Sequence, residues 1–93
     1  MSYMSDLKKV RADGISIWRL AVANEVDYWF SSEYDEDQLE GICEYVYDWV
    51  MNTEASPKEV CEGLSNCLVN EEITIEEIIN GDSNVEEKLN KQF

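Results

Sequence analysis

The residues from Ile15 to Ser31, I-S-I-W-R-L-A-V-A-N-E-V-D-Y-W-F-S, decide the fold class of this chain. They admit two readings. Trp18, Leu20 and Val22 alternate in one arm and Val26, Tyr28 and Phe30 in a second, with Ala23-Asn24-Glu25 between them, as in a hairpin. Trp18, Val22, Val26, Trp29 and Phe30 also mark a stripe on a single helix. Aromatic and β-branched enrichment favours strands, and no N-cap with a matching Glu or Gln precedes Ile15. The expectation is a hairpin. A lone hairpin is unstable in water, so it must pack on the helix after it. The predicted fold class is therefore α+β, a short antiparallel β-hairpin packed against a small helical bundle, with all-α as the alternative.

The next stretch, Ser31 to Asn52, is helical by its spacing. Leu39, Ile42, Cys43, Val46, Trp49 and Val50 fall at the steps of one buried face. Asp35 is a plausible N-cap, and Gln38 completes a capping box. Ser56-Pro57-Lys58-Glu59 opens a further helix with an N-cap Ser, Pro at the first helical position and Glu at the third. Val60, Cys61, Leu64, Cys67 and Leu68 mark its inner face. Thr74-Ile75-Glu76-Glu77 repeats the box before a short helix that stops at Asn80-Gly81. Ser83-Asn84-Val85-Glu86 starts a last helix carrying Val85, Leu89 and Phe93. At the other end, Ser5 to Ala12 reads as a short helix or an extended lead-in closed by Asp13-Gly14. The connections are short and no repeat or low-complexity tract intervenes, so residues 1–93 read as a single acidic domain.

Composition narrows the functional classes. The chain has 93 residues, 44% hydrophobic and 11% aromatic, enough for a real core rather than disorder. Its 21 acids against 7 bases give a net charge of −14, which repels nucleic acid and anionic membranes and attracts basic protein surfaces. No apolar run is long enough to span a membrane, and the first residues lack the regions of a signal peptide. Cys43, Cys61 and Cys67 are odd in number and lie on or beside predicted buried faces, which fits free thiols in a reducing cytoplasm. The absence of His removes the commonest general base and the commonest catalytic metal ligand. No phosphate-binding loop or nucleophile elbow is present. The chain is therefore expected to be no enzyme and to carry no cofactor. Glu33, Asp35, Asp37 and Glu44 fall at positions 1, 3, 5 and 12 of a notional calcium loop, but Gln38 stands where the loop needs Gly, and no metal site is expected.

The placement of charge is the unusual feature. Asp37, Glu40, Glu44 and Asp48 form a row at helical steps with no Lys or Arg interleaved, where a solvated helix ordinarily mixes signs. From Leu20 to Pro57, and again from Glu59 to Glu87, the chain has acids and no base. Four bases, Lys8, Lys9, Arg11 and Arg19, lie near the start, either as local balance or as one half of a contact between two copies. Solubility asks for a net charge of only about 2–8 in a small domain. The excess points to a basic partner, and the commonest extended basic surface is one built for nucleic acid. Asp37, Glu40, Glu44 and Asp48 are read as stand-ins for phosphates. The wider partner-binding set is Glu33, Asp35, Glu36, Asp37, Glu40, Glu44, Asp48, Glu54, Glu59, Glu62, Glu72 and Glu76.

In size, in charge, in its lack of His and in the acid row of D-E-D-Q-L-E-G-I-C-E-Y-V-Y-D-W, the chain resembles the small acidic DNA-mimic anti-restriction and anti-CRISPR inhibitors of bacteriophages. Among these it is most similar to the Arn anti-restriction-nuclease family of T4-like phages. The likeness is one of overall character, so no family residue is carried over. It implies an inhibitor, as a possible homodimer in the host bacterial cytoplasm, of a basic DNA-binding host protein. Such a target would be a modification-dependent restriction endonuclease such as McrBC, a CRISPR effector or a histone-like protein, and the inhibitor itself would bind neither nucleic acid nor membrane. The alternative is an acidic immunity or adaptor protein that covers a basic surface through a few aromatic anchors, for which Tyr34, Tyr45 and Tyr47 are the candidates.

Overall fold

The computed structural model describes residues 12–93, with side chains described from Ile17 onward. Among the described residues five helices succeed one another: α1 (Ala12–Phe30), α2 (Glu36–Asn52), α3 (Pro57–Val69), α4 (Ile75–Asn80) and α5 (Ser83–Asn90). No strand occurs among the described residues. The expected hairpin over Ile15–Ser31 is therefore overturned, and the all-α alternative fits.

The reason lies in which residues meet a neighbour. A period of two would put Leu20 and Tyr28 on the same face as Val22, Val26 and Phe30. Instead Val22, Val26 and Phe30 are 1–2% exposed, whereas Leu20 is 64% and Tyr28 81% exposed. The buried residues fall at steps of four, and the helical period wins. Trp29 Nε1–H donates to Glu25 Oε1 at 3.1 Å, four residues back, where a helix places neighbours. Strand propensity is mainly fitness for a half-buried pleated surface. Here α2 and α3 offer α1 their apolar faces, and the β-branched residues fill those contacts from a helix. Asp13-Gly14, read as a break, lies inside the first turn of α1. The rest of the expected lead-in, residues 5–11, lies outside the described residues.

Local caps set the other boundaries. Asp35 caps α2 by accepting from Gln38 N at 2.9 Å, while Gln38 Oε1 accepts from Asp35 N at 3.0 Å. Ser56 and Glu59 form the same reciprocal pair for α3, as do Thr74 and Glu77 for α4. Gly81, at φ +67°, closes α4 in the left-handed conformation that glycine adopts without strain. Asp82 then caps α5 by accepting from Asn84 N at 2.8 Å.

Helix α2 is the hub. It packs on α1, α3 and α4, while α5 sits on α3 and α4. Its Ile42, Val46 and Val50 are fully buried and join Val22, Val26 and Phe30 of α1, Val60, Cys61, Leu64 and Cys67 of α3, and Ile73, Ile78, Val85 and Leu89 in one core. Gly41 lets α4 close on α2, because a Cβ there would stand 2.7 Å from Ile79 Cγ1. This arrangement leaves the outer ridge of α2 facing solvent along its length.

Leu64→Ala should cost about 2–5 kcal/mol, the usual range for emptying a fully buried leucine site. Ile79→Ala, at a side chain 45% exposed, should cost far less. Urea denaturation of both variants checks the core, and far-UV circular dichroism of the parent protein should show helix without a strand contribution.

Candidate functional site

Asp37, Glu40, Glu44 and Asp48 occupy the exposed ridge of α2. They span about 16 Å at 1.5 Å rise per residue. The remaining acids of the sequence-derived set are exposed as well. Glu36 lies in the first turn of α2, Glu33 and Asp35 before it, Glu54 between α2 and α3, Glu59 and Glu62 on α3, Glu72 between α3 and α4, and Glu76 on α4.

Tertiary structure changes the row in one respect. The Arg19 guanidinium, from α1, lies 3.1 Å from Glu44 Oε1 and stacks over the Tyr47 ring at 4.1 Å from its centroid. The bond to Glu44 holds the Arg19 pKa above its ordinary value. The row that reads as unbalanced in sequence is thus partly neutralised at Glu44 by a residue 25 positions away. Asp37, Glu40 and Asp48 form no ion pair among the described residues.

Neighbouring helices add acids to both shoulders of the ridge. Between α1 and α2 a depression is lined by Asp27, Glu36 and Glu40 over Leu39 and Cys43. Between α2 and α5 a cleft brings Asp82 and Glu86 up to Asp48. Asp27, Asp82 and Glu86 are absent from the sequence-derived set. Winding Ile15–Ser31 as a helix would find Asp27, whereas nothing local in the sequence pairs Asp82 or Glu86 with Asp48. The Tyr34 pKa is raised by burial first and then by the charges of Glu33 and Glu76. Glu59 and Glu62 flank a shallow hollow against Gln92, away from the α2 ridge. So Glu36, Asp37, Glu40, Glu44 and Asp48 form one surface, while Glu59 and Glu62 belong to another.

The aromatic candidates are all half-buried. Tyr34 packs against Phe30 at 6.1 Å between centroids, and Tyr47 has one face under Arg19. Tyr45 lines the α2–α5 cleft beside Trp49.

The cysteines carry free thiols. Burial pushes the Cys61 thiol up to about 12. Cys43 is raised too, by burial and then by Glu44, Asp27 and Glu40. Among the described residues no group of three or more His, Cys, Asp and Glu side chains could hold a metal ion, and no helix is long and apolar enough to cross a membrane. Comparison with known proteins finds no matching family model, no matching curated protein and no matching solved structure.

This electrostatic arrangement has two expected outcomes. Raising the salt from low to moderate concentration should raise the thermal midpoint, because crowded like charges are screened. High pH should weaken the fold. Unfolded Cys61 loses its proton near the ordinary 9.0, whereas the folded thiol keeps it to about 12. The unfolded chain then binds fewer protons between those values, so stability falls as pH rises through that window. Cys61→Ala should flatten this fall, read as the urea midpoint against pH.

Proposed function

We propose that the protein is a DNA mimic. It binds and inhibits a host DNA-binding defence enzyme, a modification-dependent restriction endonuclease of the McrBC kind, by presenting carboxylates where DNA presents phosphates. The observation that carries this reading is the exposed acid ridge of α2 with further acids on both shoulders. Acids held on a helix are fixed in spacing, which suits them to a surface that expects a regular array of charge.

Magnitudes favour a composite surface over a single row. A 16 Å length of duplex carries about 10 phosphate charges. The α2 ridge has four carboxylates, one of them paired with Arg19. Asp27 and Glu36 on one shoulder, with Asp82 and Glu86 on the other, widen the array toward two strands. Over the longest extent of 36 Å a duplex carries about 21 charges. The net charge of −14 is of the same order. Electrostatic association of this kind is fast and salt-sensitive.

The test is capture of partners from a bacterial lysate, followed by a cleavage assay on the captured nuclease. Retained DNA-binding proteins should be displaced by salt and by excess duplex. Reversing Asp37→Lys and Glu40→Lys together should weaken inhibition by more than about tenfold, as charge pairs at an interface do. Unchanged inhibition by that double variant would sink the mimic reading. A single partner that stays bound through salt and DNA would put an immunity or adaptor protein in its place.

A further inference from the structure

We propose that the cleft between the second half of α2 and α5 is a receptor for an arginine side chain presented by a basic protein partner. The cleft measures about 390 Å³. Tyr45 and Trp49 form its aromatic wall, and Asp48, Asp82 and Glu86 stand around it. None of its lining residues is basic. It exists because α5 packs on α3 and α4, after Gly81 has turned the chain away from α4.

The molecule itself shows what such a combination holds. On the other flank of α2, Glu44 and Tyr47, three residues apart, take the Arg19 guanidinium between carboxylate and ring. Across the exposed ridge, Tyr45 and Asp48 are likewise three residues apart, with ring and carboxylate in the reverse order and Trp49 beside them. There the lining residues supply no cation. Glu86 lines this wall from α5; burial raises the Tyr45 pKa first, a hydrogen bond with Trp49 lowers it, and the Glu86 charge raises it further. The Phe93 ring lies against Trp49, tilted, at 5.7 Å between centroids. One oxygen of Asp82 is engaged by Asn84 N, so Asp48 and Glu86 are the carboxylates that would pair with the incoming charge.

Guanidinium suits the cleft better than ammonium. It is planar, stacks on aromatic faces, and offers a fork of donors to carboxylates. Lysine brings a compact, strongly hydrated charge that gains less from a ring. Nucleic-acid-binding proteins carry arginines to meet phosphates, and those side chains are the expected occupants. For the nature of the partner, though not for the chemistry of the cleft, this inference rests on the mimic reading.

The experiment needs no identified target. The protein, labelled with nitrogen-15, is titrated with N-acetyl-arginine amide, and in parallel with the blocked amides of lysine and norleucine. The Trp49 indole N–H and the amides of residues 82–86 should shift saturably with arginine, more weakly with lysine and not with norleucine. The indoles of Trp18 and Trp29 should stay in place. The double variant Asp48→Asn, Glu86→Gln keeps shape and removes charge, and should bind the arginine probe about fivefold more weakly, as the loss of two exposed pairs predicts. An equal response to norleucine, no saturable shift at Trp49, or undiminished binding by the double variant would overturn the proposal. The mimic reading fails by a different result, intact inhibition after reversal of Asp37 and Glu40, so the two can fall separately.

Discussion

Burial of the inner stripe of α2 is the constraint on which everything else depends. Ile42, Val46 and Val50 are fully enclosed by α1, α3 and α4, and through them each of these helices finds its place. Burying such a side chain contributes about 1.5–3 kcal/mol, before the entropy of ordering the chain is subtracted. Like charges at neighbouring helical steps cost only about 0.2–0.5 kcal/mol per pair. The repulsion along Asp37, Glu40, Glu44 and Asp48 is therefore small beside the burial on the opposite face of the same helix. A helix so anchored can hold an acidic ridge toward solvent without losing its form.

The same hub positions the charge. Because α2 lies between α1 on one side and α4 with α5 beyond it on the other, its ridge collects acids from both. Asp27 comes from α1, Asp82 and Glu86 from the last turn and helix. What reads along the chain as a single file becomes a surface about three files wide. Arg19 gives that surface a local neutral point at Glu44, and its stacking on Tyr47 braces α1 against α2 at the edge of the core.

Much of the architecture is local and therefore legible. The boxes Asp35/Gln38, Ser56/Glu59 and Thr74/Glu77 join residues three apart, so a reader of the sequence sees both partners at once. The buried stripes of α2 and α3 repeat within a few turns for the same reason. The region Ile15–Ser31 misleads because its composition suits strands, and its decisive feature, the exposure of Leu20 and Tyr28, depends on which helices lie behind it.

By itself, then, the sequence determined the starts of α2 to α5, the glycine stop at Gly81, the inner faces of α2 and α3 and the acidic character of the ridge, since these depend on neighbours within about one turn. Tertiary structure alone decided that the first described segment is a helix, that Arg19 meets Glu44 and that Asp82 and Glu86 line one cleft with Asp48. Those arrangements join residues far apart in the chain, and the energy that selects them comes from burying one helix against another.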